Sequence, residues 1–96
     1  MQQRTISIPN RLGLHARAAA RLVRRATQYI CSVELIRDDT GASADGKSIL
    51  SVLLLAAARG TSLTIKTDGP DEERALNELA ELIDQGFGEE SSDGVF

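Results

Sequence analysis

The sequence predicts a two-layer α+β sandwich with the element order β-α-β-β-α-β-α. Three segments alternate apolar and polar side chains as half-buried strands do, and a turn cluster after the second predicts a hairpin with a short additional strand. Two amphipathic segments and one apolar run between them favour helices. The 96 residues suffice for one domain, and 42% hydrophobic with 26% charged residues is a globular composition. The helices must cover the apolar side of the sheet, which gives two layers.

A short loop joins the first strand to the first helix. Residues 4–8 alternate polar and apolar side chains until Pro9 and Asn10 break the run, which predicts a strand. Gly13 is the flexible point of the loop. Residues 16–28 are rich in alanine and carry apolar side chains at helical spacing, which predicts a helix with one buried stripe. The stripe comprises Ala19, Leu22, Val23 and Ala26.

A hairpin and a second helix follow. Residues 31–36 alternate as a second strand, and the turn cluster at residues 38–41 reverses the chain into a third, short strand at residues 42–44. Residues 48–58 are almost wholly apolar, and periodicity does not distinguish a buried helix from a buried strand in such a run. Their leucine and alanine content favours a short helix, and the hydroxyl of Ser48 can cap its N-terminus.

A fourth strand and a third helix complete the order. Residues 62–66 alternate again and predict the strand. Gly69 and Pro70, followed by the acidic residues 71–73, predict the next helix start, because proline suits a first turn and acidic side chains oppose the positive helix end. The buried stripe of this helix comprises Leu76, Leu79, Ala80 and Ile83. We expect one domain over residues 1–88 and an acidic, flexible tail over residues 89–96.

Charge, aromatic content and hydropathy argue against several classes of protein. The net charge of −3 is unlike that of a basic nucleic-acid binder, and with no Trp, one Tyr and two Phe the strands lack aromatic side chains for stacking bases. Cys31 is the only cysteine, so no disulfide forms within the chain, and a buried thiol is favoured over a redox or metal role. The sequence contains neither a signal peptide nor an uncharged apolar run near 18 residues. We expect a cytoplasmic protein without membrane contact, metal or cofactor.

Residues 41–48, GASADGKS, match the nucleotide-binding pattern G-x-x-x-x-G-K-[ST]. That pattern holds phosphates when it follows a core strand of a parallel sheet and opens a helix. Here the eight residues span a turn, a short strand and then a helix start, and the remaining chain is too short for a doubly wound nucleotide-binding sheet. We therefore interpret the segment as a hairpin strand followed by a helix N-terminus and expect no nucleotide site.

His15, the only histidine, stands at the predicted N-cap of the first helix and is the best candidate for phosphoryl chemistry. The backbone amides of Ala16, Arg17 and Ala18 and the helix dipole favour an anion there. The planar guanidinium of Arg17 can reach the same anion. A neutral imidazole nitrogen is nucleophilic near pH 7, and the positive helix end disfavours the imidazolium. The alternative interpretation is a purely structural histidine.

Arg21 and Arg24 continue the positive charge along one face of this helix, in a chain whose net charge is negative. Such a stripe can serve as an electrostatic docking patch for an acidic partner. A helix face that is merely solvated is an equally valid interpretation, and the sequence leaves the choice open.

Two motifs resemble those of a known family of phosphocarriers. NRLGLHARAAARLV and GKSILSVLLLAAARGTSLTI are similar to the two motifs of the HPr and NPr family of the bacterial phosphoenolpyruvate-dependent phosphotransferase system, and GPDEERALNELAELI also fits. The resemblance covers residues 4–87. It implies an open-faced β-sandwich, with a four-stranded antiparallel sheet and three helices on one side. It implies no cofactor, and a protein that is a stoichiometric carrier rather than an enzyme.

The resemblance also implies a reaction and its participants. His15 would accept a phosphoryl group at Nδ1 from enzyme I and pass it to the A domain of an enzyme II or to a regulatory homologue, in sugar uptake or in nitrogen or carbon regulation. Arg17 matches the motif's arginine, which stabilises the phosphoryl group together with the backbone amides of Ala16 and Arg17. Ala18 stands where the family usually has proline, and we expect this change to loosen the site slightly.

A second set of residues matches the family's regulatory serine and partner surface. Ser48 matches a serine that a kinase phosphorylates in some lineages, with a phosphatase as counterpart, and that only contributes to docking in others. A regulatory interaction protein controlled by Ser48 is therefore the alternative function, with Ser48 expected beside His15. The apolar residues of this surface can also be ordinary core residues, and we expect some to be buried and others to contact partners. We also expect a monomeric protein. The predicted partner surface comprises Arg21, Arg24, Lys47, Ile49, Leu50 and Leu53.

Overall fold

The computed structural model describes residues 1–88 and has the predicted order of elements. The strands are β1 (Gln2–Ser7), β2 (Ser32–Arg37), β3 (Ser43–Asp45) and β4 (Ser62–Asp68). The helices are α1 (Ala16–Ala26), α2 (Ile49–Leu54) and α3 (Glu72–Asp84), and a 3-10 turn follows at Gly86–Gly88. The predicted acidic tail, residues 89–96, lies outside the described residues.

The four strands form one antiparallel sheet in the order β1-β4-β2-β3, with the helices on one side of it. In β4, Leu63, Ile65 and Thr67 are buried beneath the helices and alternate with Thr64 and Lys66 on the other side. This arrangement confirms the predicted open-faced sandwich. The largest fully buried side chains are those of Phe87, Ile8, Leu22, Leu35, Leu63, Ile65, Leu79, Ile83 and Val52.

Helices α1 and α3 bury the predicted stripes. Every residue of the α3 stripe is buried, and in α1 only Val23 of the predicted four is half-buried. Helix α1 ends at Ala26, two residues earlier than predicted. Helix α3 begins at Glu72 with Asp71 as its N-cap, so Pro70 precedes the helix instead of occupying its first turn.

Helix α2 is shorter than the apolar run that predicts it. The run extends to residue 58, but the helix ends at Leu54, and Ala56 adopts a left-handed backbone conformation with φ 51°. The carbonyls of Leu55 and Ala56 accept hydrogen bonds from Nη1 of Arg37, at 3.0 and 3.3 Å. An unbroken apolar run contains no signal for its own end, and here a strand that is distant in sequence provides the helix terminus with donors.

Asp71 joins the start of α3 to the segment that follows α1. Its carboxylate accepts hydrogen bonds from the backbone N–H groups of Ile30 and Cys31, each at 2.9 Å. The hydrogen bond from Ile30 is the main reason that the pKa of Asp71 lies below its ordinary value, and the bond from Cys31 adds to it. The charged form of Asp71 therefore stabilises the folded state.

We expect Asp71→Asn to lower the melting temperature near pH 7 by about 5 °C, because an amide cannot replace both carboxylate oxygens as acceptors. Since the pKa of Asp71 is depressed on folding, its contribution is present above the unfolded pKa of about 4 and is lost as the pH falls through the folded value. Thermal unfolding followed by circular dichroism should therefore give a difference between wild type and variant that shrinks as the pH is lowered. A pH-independent difference would contradict this account of Asp71.

Candidate functional site

His15 occupies the N-cap of α1, as predicted. Its backbone is extended, with φ −73° and ψ 178°, and its carbonyl accepts the first helical hydrogen bond, from Ala19 N–H at 2.8 Å. Its Nδ1 accepts a hydrogen bond from the backbone N–H of Arg17 at 3.3 Å. The imidazole is half-buried, and its Nδ1 faces the backbone amides at the positive end of the helix.

The loop before His15 is held at both of its ends. Asn10 and Gly13 form a turn in which Asn10 Nδ2 donates to the Gly13 carbonyl at 2.8 Å and Gly13 N–H donates to the Asn10 carbonyl at 3.2 Å. Leu14 is buried, and its N–H donates to the carbonyl of Ala57 at 2.9 Å. The residue that immediately precedes His15 is therefore tied to the segment that follows α2. The sequence provides no sign of this long-range contact.

Gly13→Ala should unfold more readily and should also misplace His15. Gly13 has φ 65°, and a Cβ there would lie 2.5 Å from the Ala57 carbonyl oxygen and 2.9 Å from Ala58 Cα. Backbone strain and the clash together should lower the free energy of unfolding by about 2 kcal/mol or more, measured by urea denaturation. Gly41→Ala is the matched control, because Gly41 has φ 78° and a Cβ added there would meet nothing within 4 Å. Equal losses in the two variants would contradict the close packing of Gly13.

The three arginines of the predicted basic stripe have different environments. Arg17 and Arg24 are exposed on α1. Arg21 is half-buried, and its Nη1 donates to the carbonyl of Phe87 in the turn after α3. The structure therefore corrects the prediction of Arg21 as an exposed member of the stripe, because this guanidinium joins α1 to the end of α3.

Residues 41–48 form a turn, strand β3 and the start of α2, which confirms the interpretation of this segment. Ser48 is the N-cap of α2, and its Oγ accepts a hydrogen bond from the backbone N–H of Ser51 at 3.3 Å. Lys47 is half-buried, and its Nζ donates to the Tyr29 carbonyl at 2.7 Å. The lysine of the nucleotide-loop pattern thus binds a backbone carbonyl that follows α1.

Contacts at the two ends of α2 show which end adjoins the loop before His15. The carbonyl of Ala57, after the C-terminal end of α2, contacts Leu14 at the start of α1, whereas Lys47, before the N-terminal end of α2, contacts the segment after α1. The two helices are therefore antiparallel, and α1, with 11 residues, is about 16 Å long. The segment after Leu54 adjoins the loop before His15, and Lys47, next to Ser48, contacts the segment after α1.

Helix α2 carries both core and exposed apolar side chains, which is the mixture that was expected. Ile49 and Leu50 are 44% and 65% exposed, whereas Leu53 is half-buried against the core. Two exposed leucines were missed by sequence reasoning: Leu54 at the end of α2, 75% exposed, and Leu12 in the loop before His15, 62% exposed. Only the packing of α2 decides which leucines of such a run face solvent, so no sequence signal identified Leu54.

The side chains at the start of α1 supply an imidazole and a guanidinium next to backbone amides. Within residues 1–88, no three side chains of histidine, cysteine, aspartate or glutamate are grouped so that they could hold a metal ion. In the same part of the chain, no helix has the length and apolar character needed to cross a bilayer. The arrangement at His15 fits a nucleophile whose product is an anion, because Nδ1 faces backbone amides at the positive end of the helix and an arginine follows two residues later.

Comparisons with known proteins point to the same chemistry. Residues 2–85 match the family model described as the PTS HPr component phosphorylation site. The chain is 46% identical over 89 residues to phosphocarrier protein HPr of Cupriavidus necator, covering 93% of this chain and 98% of that protein. It is 50% identical over 84 residues to phosphocarrier protein HPr of Pseudomonas aeruginosa, covering 88% and 92%. A crystal structure of HPr-C-His from Thermoanaerobacter tengcongensis superposes with a TM-score of 0.87 at 36% identity, covering 94% and 99%.

Proposed function

Because the chain belongs to the HPr family of phosphocarrier proteins, we propose that His15 accepts a phosphoryl group from phospho-enzyme I, charged by phosphoenolpyruvate. His15 then passes the group to the A domain of an enzyme II or to a regulatory homologue. The protein acts as a stoichiometric carrier in the cytoplasm, as a monomer, with no substrate turnover of its own. The acceptor belongs either to sugar uptake or to nitrogen or carbon regulation.

The observation that carries the proposal is the position of His15 Nδ1 at the start of α1. In the resting protein Nδ1 accepts the Arg17 N–H, so its lone pair points towards the amides of the first turn. The lone pair attacks phosphorus, an N–P bond forms, and the bond from phosphorus to the donor breaks. The phosphoryl oxygens then replace Nδ1 as acceptors of the Arg17 N–H, and the amide of Ala16 donates to them as well.

Arg17 supplies the positive charge that the transferred group requires. Its side chain is exposed two residues after His15. Phosphoryl transfer depends mainly on positioning and on stabilising negative charge, so a guanidinium at this place assists transfer in both directions. Because it is exposed, Arg17 can contact the phosphoryl group while a partner's active site closes over His15.

The partner surface proposed here differs from the one that the sequence predicts. Arg24, Ile49 and Leu50 are exposed and remain proposed contacts, whereas the side chains of Arg21 and Lys47 donate to backbone carbonyls within the fold. Exposed apolar side chains with a basic helix face suit a partner whose own surface is apolar and acidic.

Control by phosphorylation of Ser48 remains the alternative function. One observation favours it: Ser48 caps the helix whose next two residues, Ile49 and Leu50, are exposed and apolar. A phosphate there would place negative charge at a helix start, which suits the dipole, and next to apolar docking residues, which opposes docking. Such control would act on partner binding through the exposed apolar side chains that follow Ser48.

The proposed function is tested by incubating the chain with phosphoenolpyruvate, Mg²⁺ and enzyme I. We expect one acid-labile, base-stable phosphoryl group per chain, with a ³¹P resonance typical of Nδ1-phosphohistidine. Adding purified enzyme II A domains and their regulatory homologues one at a time then identifies the acceptor, because only the matching protein removes the group quickly. Absence of any adduct on the wild-type chain would rule out the carrier function.

A further inference from the structure

We propose that Arg37, at the end of β2, is a positioning residue that holds His15 in place through the segment after α2. The inference rests on the proposed function, because it concerns how the phosphoryl acceptor is aligned. Arg37 is far from His15 in sequence, and the sequence alone assigns it no role.

The guanidinium of Arg37 uses two different edges for two different partners. Its Nε and Nη2 donate to the two carboxylate oxygens of Asp39, at 2.9 and 2.7 Å. Its Nη1 donates to the carbonyls of Leu55 and Ala56 after α2. The hydrogen bond to Asp39 is the main reason that the pKa of Arg37 lies above its ordinary value. The planar guanidinium of an arginine can donate to a carboxylate and to two carbonyls at the same time, whereas the ammonium of a lysine cannot.

The contacts of Arg37 stabilise a backbone conformation that the chain would not otherwise favour. Ala56 has φ 51°, in the left-handed region that side chains with a Cβ rarely adopt. The last carbonyls of a helix also lack partners within it and carry partial negative charge. Arg37 provides a positively charged donor to the carbonyls of the C-cap Leu55 and of Ala56, and so fixes the direction in which the chain leaves α2.

The carbonyl next to those bound by Arg37 holds the loop before His15. Ala57 follows Ala56, and its carbonyl oxygen accepts the Leu14 N–H at 2.9 Å. Leu14 in turn is followed directly by His15, whose Nδ1 is aligned with the amide of Arg17. A continuous series of contacts therefore joins Arg37 to the imidazole, and a shift in the carbonyls after α2 would move the nucleophile. A displacement of about 1 Å in a reacting group can cost about 100-fold in rate.

The test uses Arg37→Met, which keeps most of the length of the side chain and removes its donors. The single-turnover rate of phosphoryl transfer from phospho-enzyme I should fall by about tenfold at a temperature where the variant is fully folded. Hydrogen exchange of the Leu14 amide should become faster than in wild type. Arg37→Lys should recover part of the rate, because its ammonium can donate to the carbonyls of Leu55 and Ala56 but cannot hold both oxygens of Asp39 at the same time.

Asp71→Asn is the matched control, because it should lower stability without contacting the His15 loop. It should transfer at the wild-type rate. The proposal is overturned if Arg37→Met transfers as fast as wild type, or if Asp71→Asn loses as much rate as Arg37→Met, since the loss would then reflect stability alone. If the wild-type chain accepts no phosphoryl group, the proposed function fails, and the exchange of the Leu14 amide still decides whether Arg37 holds the loop.

Discussion

His15→Ala should carry no phosphoryl group after incubation with phosphoenolpyruvate, Mg²⁺ and enzyme I, whereas the wild-type chain should carry one. His15 is the only histidine, so no other imidazole in the chain can form the same N–P bond. The alanine variant should stay folded, since the lost N-cap hydrogen bond costs only about 1 kcal/mol. Acid lability of the label, measured on the isolated protein, distinguishes a phosphohistidine from a phosphoserine.

His15→Asn separates capping from chemistry. Asparagine is a good N-cap whose side-chain oxygen can accept the Arg17 N–H, so the stability of this variant should be close to that of wild type. Its amide is not a nucleophile, and it should remain unlabelled. Label on either variant at the wild-type level would place the phosphoryl group elsewhere in the chain and contradict the proposed site.

Arg17→Ala should slow phosphoryl transfer by about 100-fold, because one positively charged donor is removed from a group that gains negative charge in the transition state. The free energy of unfolding should change by less than about 0.5 kcal/mol, since the side chain is exposed at the surface of α1. Rapid-quench measurement of transfer from phospho-enzyme I, together with urea denaturation of the same samples, tests both expectations.

Arg24→Ala is the matched control for the charge of Arg17. It removes the same charge from an exposed position on the same helix, about two turns further along. This variant should slow phosphoryl transfer by only a few-fold at low salt, and the difference from wild type should vanish at high salt, because a docking charge acts over distance and is screened by ions. Equal losses in the two variants, with equal salt dependence, would mean that Arg17 contributes only to docking.

The strands, the helices and the position of His15 and Arg17 at the start of α1 were predictable because they depend on short-range patterns. Alternation at a period of two identified β1, β2 and β4, and the apolar stripes identified α1 and α3. His15 and Arg17 are two residues apart at a helix start, so their proximity follows from local geometry alone.

Predictions that depended on how separate elements pack were wrong in specific places. Arg21 was expected on an exposed stripe, but it binds the carbonyl of Phe87. The end of α2 was expected near residue 58, but Arg37 caps the chain after Leu54. Each error concerns a partner that is distant in sequence.

The sequence by itself determined the fold class, the order of the elements and the histidine at the start of α1, because periodicity and capping act within a few residues. Only the tertiary structure decided which end of α2 adjoins His15, which arginines face solvent and which residue holds the loop before the imidazole. Those features depend on hydrogen bonds such as Leu14 to Ala57 and Arg37 to Leu55, which form only after the sheet has brought distant segments together.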